Sequence, residues 1–165
     1  MSPYKPQQRS LFARVFTTAG WLEGNFHLAA HQGFAEFLSK DHVYYRLTDV
    51  KWPGAPVVPF LALHHTETLV VLPDPKAPML HLVASAPVET LHVVCLMPGG
   101  WVEGEMEHLV HLRLSDTIER LSGYVVLEKA RLWPRGHDAV SWPVALVNAQ
   151  RIVGVSGTPA SKLPG

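Results

Sequence analysis

A five-residue phrase occurs twice in the chain, 80 positions apart: Gly20-Trp21-Leu22-Glu23-Gly24 and Gly100-Trp101-Val102-Glu103-Gly104. Carried without a gap over residues 20–50, that offset aligns seven identical pairs: Gly20/Gly100, Trp21/Trp101, Glu23/Glu103, Gly24/Gly104, His31/His111, Tyr44/Tyr124 and Leu47/Leu127. At a few per cent per position, chance would supply roughly two. Similar residues fill the gaps, among them Phe34/Leu114, Glu36/Asp116 and Leu38/Ile118. The chain is therefore expected to be two copies of one small module, each near the size at which a single core is only marginally stable. Pairing through a shared face would relieve that. Two like modules are expected to pair as identical subunits do, with Trp21 and Trp101 related by a pseudo-twofold axis.

Each copy reads strand, strand, short helix, strand, strand, strand. Leu11–Thr17 alternates, with Leu11, Ala13 and Val15 on one face, and Trp21–Leu28 returns after the Thr18-Ala19-Gly20 turn. Leu91–Met97 and Trp101–Met106 repeat the hairpin around Pro98-Gly99-Gly100. Gly24 and Gly104 fall inside the second strand of each copy, where glycine marks a bend that curls a short sheet toward a barrel. Phe34, Phe37 and Leu38, and in the second copy Leu114, Ile118 and Leu121, have helical spacing. Strands are expected at Val43–Val50, Val57–Leu63 and Leu69–Leu72, matched by Tyr124–Leu132, Pro143–Val147 and Ile152–Val155. The offset drifts to 84 by the end, so the second copy carries a longer loop. The expected modules are residues 1–72 and 91–155, joined by a Pro-rich linker, 73–90, whose centre Met79–Val83 could add an edge strand. Residues 156–165, rich in Gly, Pro and Ser, read as a flexible tail.

This order, with its bent second strand and a polar turn before the last, resembles the Sm-like small β-barrel. The nearest matches are His64-His65-Thr66-Glu67-Thr68 before Leu69-Val70-Val71, and Asn148-Ala149-Gln150-Arg151 before Ile152-Val153. Both are similar to the second Sm motif. Arg113-Leu114-Ser115-Asp116 with Leu127 and Val147-Asn148 also resembles an uncharacterised bacterial Sm-like family. The resemblance implies a mainly β chain with short helices, built as two tandem Sm-like barrels from an internal duplication. Sm proteins place their helix before the first strand, whereas here it falls between the second and third.

Lys and Arg number 14, as do Asp and Glu, and neither half is markedly cationic. A chain built to grip phosphates usually carries a basic excess, so nucleic acid starts at a disadvantage. The single cysteine, Cys95, lies in an apolar run and reads as a small buried hydrophobe. No run of eighteen apolar residues is present and Ser2–Ser10 is polar, so a cytoplasmic protein without membrane spans is expected.

Ten histidines invite a metal reading. His27 and His31 align with Glu107 and His111, two candidate ligands four residues apart in each copy, with His108 beside them. No cysteine assists, and polar residues at a strand–helix junction would look the same, so no cofactor is expected. Glu23 and Glu103, repeated in identical surroundings, read as cross-strand partners rather than an acid–base pair. No phosphate loop or nucleophile motif occurs at usable spacing. What remains is a non-catalytic binding or assembly module acting on a protein partner or on another copy of itself, with Trp21 and Trp101 as candidate anchors. The alternative is Sm-like nucleic-acid binding through His64, His65, Asn148, Gln150 and Arg151 on the two equivalent turns.

Overall fold

A computed structural model describes residues 8–76, 88–110, 112–120 and 123–159. The first half contains β1 (Gln8–Thr17), β2 (Gly20–Ala29), α1 (Phe34–Ser39), β3 (Tyr44–Lys51), β4 (Val58–His64), a 3-10 turn (His65–Glu67) and β5 (Thr68–Pro73). The second repeats that order: β6 (Val88–Met97), β7 (Gly100–Leu109), α2 (Leu114–Arg120), β8 (Tyr124–Pro134), β9 (Val140–Asn148), a 3-10 turn (Ala149–Arg151) and β10 (Gly154–Pro159). The expected residues 79–83 strand lies outside the described residues. β10 extends through residues 156–159 where a tail was expected to start, because those residues pair with β6 from Val94 to Leu91.

The fold is mainly β. Among the described residues, ten strands join one antiparallel sheet in the order β10-β6-β7-β8-β9-β5-β1-β2-β3-β4. Each half contributes its strands in the same internal order, fifth-first-second-third-fourth. The seam between them is β9 against β5, with Val70 opposite Val147 and Val71 opposite Leu146. A fourth-strand edge thus meets a fifth-strand edge. That is a head-to-tail joint, not the twofold pairing of like with like expected from the repeat. The sheet is open at both ends: among the described residues β4 and β10 each have one strand neighbour.

Glycine stands at a slip in the pairing of each half. Pairing slips between Glu23 and Asn25 on β2 and between Glu103 and Glu105 on β7, so Gly24 and Gly104 occupy matching bulges. Opposite them Asp49 and Lys129, again 80 apart, take positive φ values of 51° and 49°. A Cβ on Gly24 would lie 2.9 Å from Val50 Cγ2, and one on Gly104 2.9 Å from the Glu128 carbonyl oxygen. The extra residue bends β3 and β8, and only glycine, which lacks Cβ, lets the partner strand approach this closely.

Two apolar cores result. Leu11, Ala13, Val15, Phe26 and Leu47 form the first, closed by Phe34 and Leu38 of α1. Val93, Cys95, Val102, Leu127 and Leu132 lead the second, with Leu114 and Ile118 of α2 against it. Each core borrows from the other half. Tyr124 and Leu146 enter the first, while Phe16, Leu69, Val70 and Leu72 enter the second. All six residues of β5 are buried, because Val71 faces one core and its neighbours the other. No helix among the described residues is long and apolar enough to cross a membrane.

Candidate functional site: the joint and the two open edges

The turns that carry the sequence candidates are built alike. His64 caps the first, its side chain accepting from the Thr66 N–H (3.2 Å), and Asn148 caps the second, accepting from the Gln150 N–H (3.2 Å). An acceptor two residues ahead of a backbone N–H is what such a tight turn needs, and imidazole Nδ1 and amide Oδ1 both supply it. The joint then brings the turns side by side. Asn148 Nδ2 donates to the carbonyls of His65 (3.2 Å) and Thr68 (2.9 Å), and His65 Nε2 stands 3.4 Å from Gln150 Oε1. Asn148, 2% exposed, spends its amide on holding the halves together. Arg151 lies half-buried in the second turn.

Other contacts reinforce this seam. Ser39 Oγ at the end of α1 donates to the Ala35 carbonyl (2.6 Å) and accepts from the Tyr124 N–H (3.3 Å). Gly123 packs on it so closely that any Cβ there would overlap Ser39. The Tyr45 hydroxyl donates to the Leu38 carbonyl at 2.7 Å, which uses its only proton, so Tyr124, 3.3 Å away, donates to Tyr45. Burial pushes both phenols above their usual range; Tyr124, donating to Tyr45 and facing its charge when ionised, is raised further, while that bond partly offsets the rise at Tyr45. Trp142 Nε1 donates to the Pro73 carbonyl (2.6 Å). A cavity of about 310 Å³ opens on this seam, lined by residues of α1 and its exit, by His64 and His65, and by Tyr124, Asn148 and Gln150.

Trp21 and Trp101 differ in their surroundings. Trp21 is half-buried, with its ring 5.2 Å from Phe16 and Arg14 stacked 4.6 Å above it. Trp101 is 43% exposed and stacks on Trp133 at 5.6 Å. Glu103 serves structure, accepting from Trp133 Nε1 at 3.2 Å and lying 3.2 Å from His92 Nε2.

The metal candidates are not gathered into a site. His27 Nε2 is 2.7 Å from Thr48 Oγ1, His31 and Glu107 are exposed, and His111 lies outside the described residues. His108 is buried against Thr117 (3.0 Å). Among the described residues no three His, Cys, Asp or Glu side chains are placed to share an ion. Burial pushes the Cys95 thiol up to about 12, which leaves it protonated and unreactive at neutral pH.

Sequence reasoning did not reach the residues that make the joint: Ser39, Gly123, Trp142 and the β5 face. One signal for them was present. Leu69-Val70-Val71-Leu72 is a continuous apolar run, the pattern of a strand covered on both faces, whereas its counterpart Val153-Gly154-Val155-Ser156 is not. Neither a family model nor a curated protein nor a solved structure matches the chain.

Proposed function

We propose that this protein is a non-catalytic assembly module: two Sm-like units from an internal duplication, which associate head to tail with further copies of the chain. The β4 edge of one copy adds to the β10 edge of the next, as β9 adds to β5 within a copy. The head-to-tail order of the sheet carries this reading, since it leaves at the two ends the same kinds of edge that meet in the middle. An open edge offers unpaired backbone N–H and C=O groups that another strand can satisfy. A heterologous contact of this type closes into a ring or runs on as a filament.

Exposed apolar side chains at both ends support it. Phe60 (55% exposed), Val57, Val43 and Tyr44 cluster near β4, and Leu96, Trp101 and Val153 near β10. Pro59 and Pro143 hold matching positions, so the pairing-competent stretch of β4 runs from Phe60 to His64, as the joint uses the residues after Pro143.

Sedimentation velocity across a concentration series tests the reading. The wild-type chain should associate, and the Ala62→Lys/Val153→Lys double variant, which puts an ammonium on each edge, should sediment as a monomer. A wild-type chain that stays monomeric throughout, or a double variant that associates equally well, refutes it.

A further inference from the structure

The cavity on the seam carries an inference that does not depend on the sheet edges. Its walls include Lys40, Asp41 and His42 after α1, His64 and His65 of the first turn, and Gln150 of the second. The hydrogen bonds of the His64 cap fix which nitrogen of this wall residue carries the proton. Its Nδ1 accepts from the Thr66 backbone N–H at 3.2 Å, so the proton of the neutral ring sits on Nε2, which is a donor. His42 Nε2 is buried without a hydrogen-bond partner in the protein, and of the buried polar atoms in that position among the described residues (the others are Arg9 Nε and His108 Nδ1) it alone belongs to a residue lining this cavity. A buried ring nitrogen with no partner in the protein is a group that a ligand oxygen satisfies when that nitrogen carries the ring proton. Lys40 contributes an ammonium, held only by an exposed pair with Glu36 at 3.9 Å. Against these, the wall contains one carboxylate, the exposed Asp41.

The wall thus carries one ammonium and three imidazoles against one carboxylate, around a space large enough for a small molecule. We infer that this cavity binds a small oxyanion, a phosphate or carboxylate group, through His64, His42 and Lys40. Because its walls come from both halves, the ligand would bridge the two modules within one chain.

The second turn supplies the control. Asn148 caps it by the same acceptor geometry that His64 provides in the first, so His64→Asn keeps the cap while removing the imidazole donor. The experiment is an NMR titration of the full chain with sodium phosphate and, separately, sodium malonate, each against sodium chloride at matched ionic strength. Saturable shifts centred on His42, His64, Tyr124 and Gln150 are expected with at least one, and which one names the group. His64→Asn should weaken that affinity about tenfold, the effect of losing a hydrogen bond to a charged group, with the rest of the spectrum unchanged. Ala62→Lys/Val153→Lys should bind as well as wild type, whatever its association state. Absence of saturable shifts with both anions overturns the inference, as does undiminished binding in His64→Asn. Saturation by a short single-stranded RNA where both small anions fail would assign the surface to nucleic acid and overturn it too.

Discussion

The seam at β5–β9 and the free edges at β10 and β4 are built from corresponding strands, yet they present opposite surfaces. Leu69 in the seam is 1% exposed, and its counterpart Val153 beside β10 is 67% exposed. Phe16 is 6% exposed where Leu96 is 49%. Val144 on β9 is half-buried where Phe60 on β4 is open. Position in the repeat does not explain this, because the register within each half is the same: Phe16 pairs Val70 as Leu96 pairs Gly154, and Tyr44 pairs His64 as Tyr124 pairs Asn148. Neighbours explain it. β5 and β9 each lie between two strands, whereas β10 and β4 have one, and Phe16 packs into the other half's core while Leu96 has no second half against it.

The seam also contains fittings that the edges lack. Where the second half has Gly123 against Ser39, the first has Val43; where the second has Asn148, the first has His64. Contact between copies through the edges is thus expected to be weaker than the seam, and reversible. Replacing Gly123 should have the largest effect of any change considered. A branched side chain there overlaps Ser39 and wedges the halves apart, so Gly123→Val should cost about 3 kcal/mol in urea denaturation. The matched edge change, Val43→Gly, removes only exposed surface and should cost roughly 1 kcal/mol or less, through backbone entropy. Equal losses would remove the distinction.

Asn148→Ala comes next. It strips partners from the His65 and Thr68 carbonyls and an acceptor from the Gln150 N–H, so a loss of about 2 kcal/mol is expected. His64→Ala removes the corresponding cap, but the hydrogen bonds of that ring stay within its own turn, so it should lose about half as much. Comparable values for the two would mean that the seam gains nothing from its asparagine.

Alkaline pH sharpens the comparison from another side. Tyr45 and Tyr124 meet at the seam, and both have folded values raised above the usual 10.0. Their contribution to stability is complete below pH 10; above it the unfolded chain loses the phenolic protons and the folded chain keeps them, so stability falls as pH rises. Cys95, raised from 9.0 to about 12, adds a similar fall between those values. Each such group steepens the slope by about 1.4 kcal/mol per pH unit. Tyr124→Phe should therefore unfold less steeply with pH above 10 than wild type, and an unchanged slope would show that this phenol ionises freely in the folded state. The smallest effect on folding belongs to the edges: Ala62→Lys/Val153→Lys should shift stability by only about 0.5 kcal/mol while abolishing association.

Much of the fold was legible because local chemistry specifies it. Alternation placed Leu11, Ala13 and Val15 in the core, and Gly24 and Gly104 marked the bulges. The turn residues His64 and Asn148 announced matching tight links, although not that both would act as caps. What failed was the relation between the copies. The choice between a twofold and a head-to-tail joint rests on which edges meet, and that depends on long-range fits such as Gly123 on Ser39 and Trp142 on Pro73. Residues so far apart in the chain leave no periodic signature. The same holds for the cavity: His64, His65 and Gln150 were separate candidates, and Lys40 and His42 were not candidates, until the seam assembled them.

The most direct measurement concerns the register between copies. In the seam Val71 lies opposite Leu146; the corresponding edge residues are Val155 on β10 and Ala62 on β4. Directly paired antiparallel residues have Cα atoms about 4.5–5.5 Å apart, within disulfide reach. Ala62→Cys and Val155→Cys should be made as separate chains in a Cys95→Ala background, since Cys95 is the only native thiol, then oxidised alone and mixed. Head-to-tail pairing requires a covalent dimer in the mixture and little from either chain alone. Cross-links within a single variant, or none in the mixture at concentrations where the wild type associates, would contradict it.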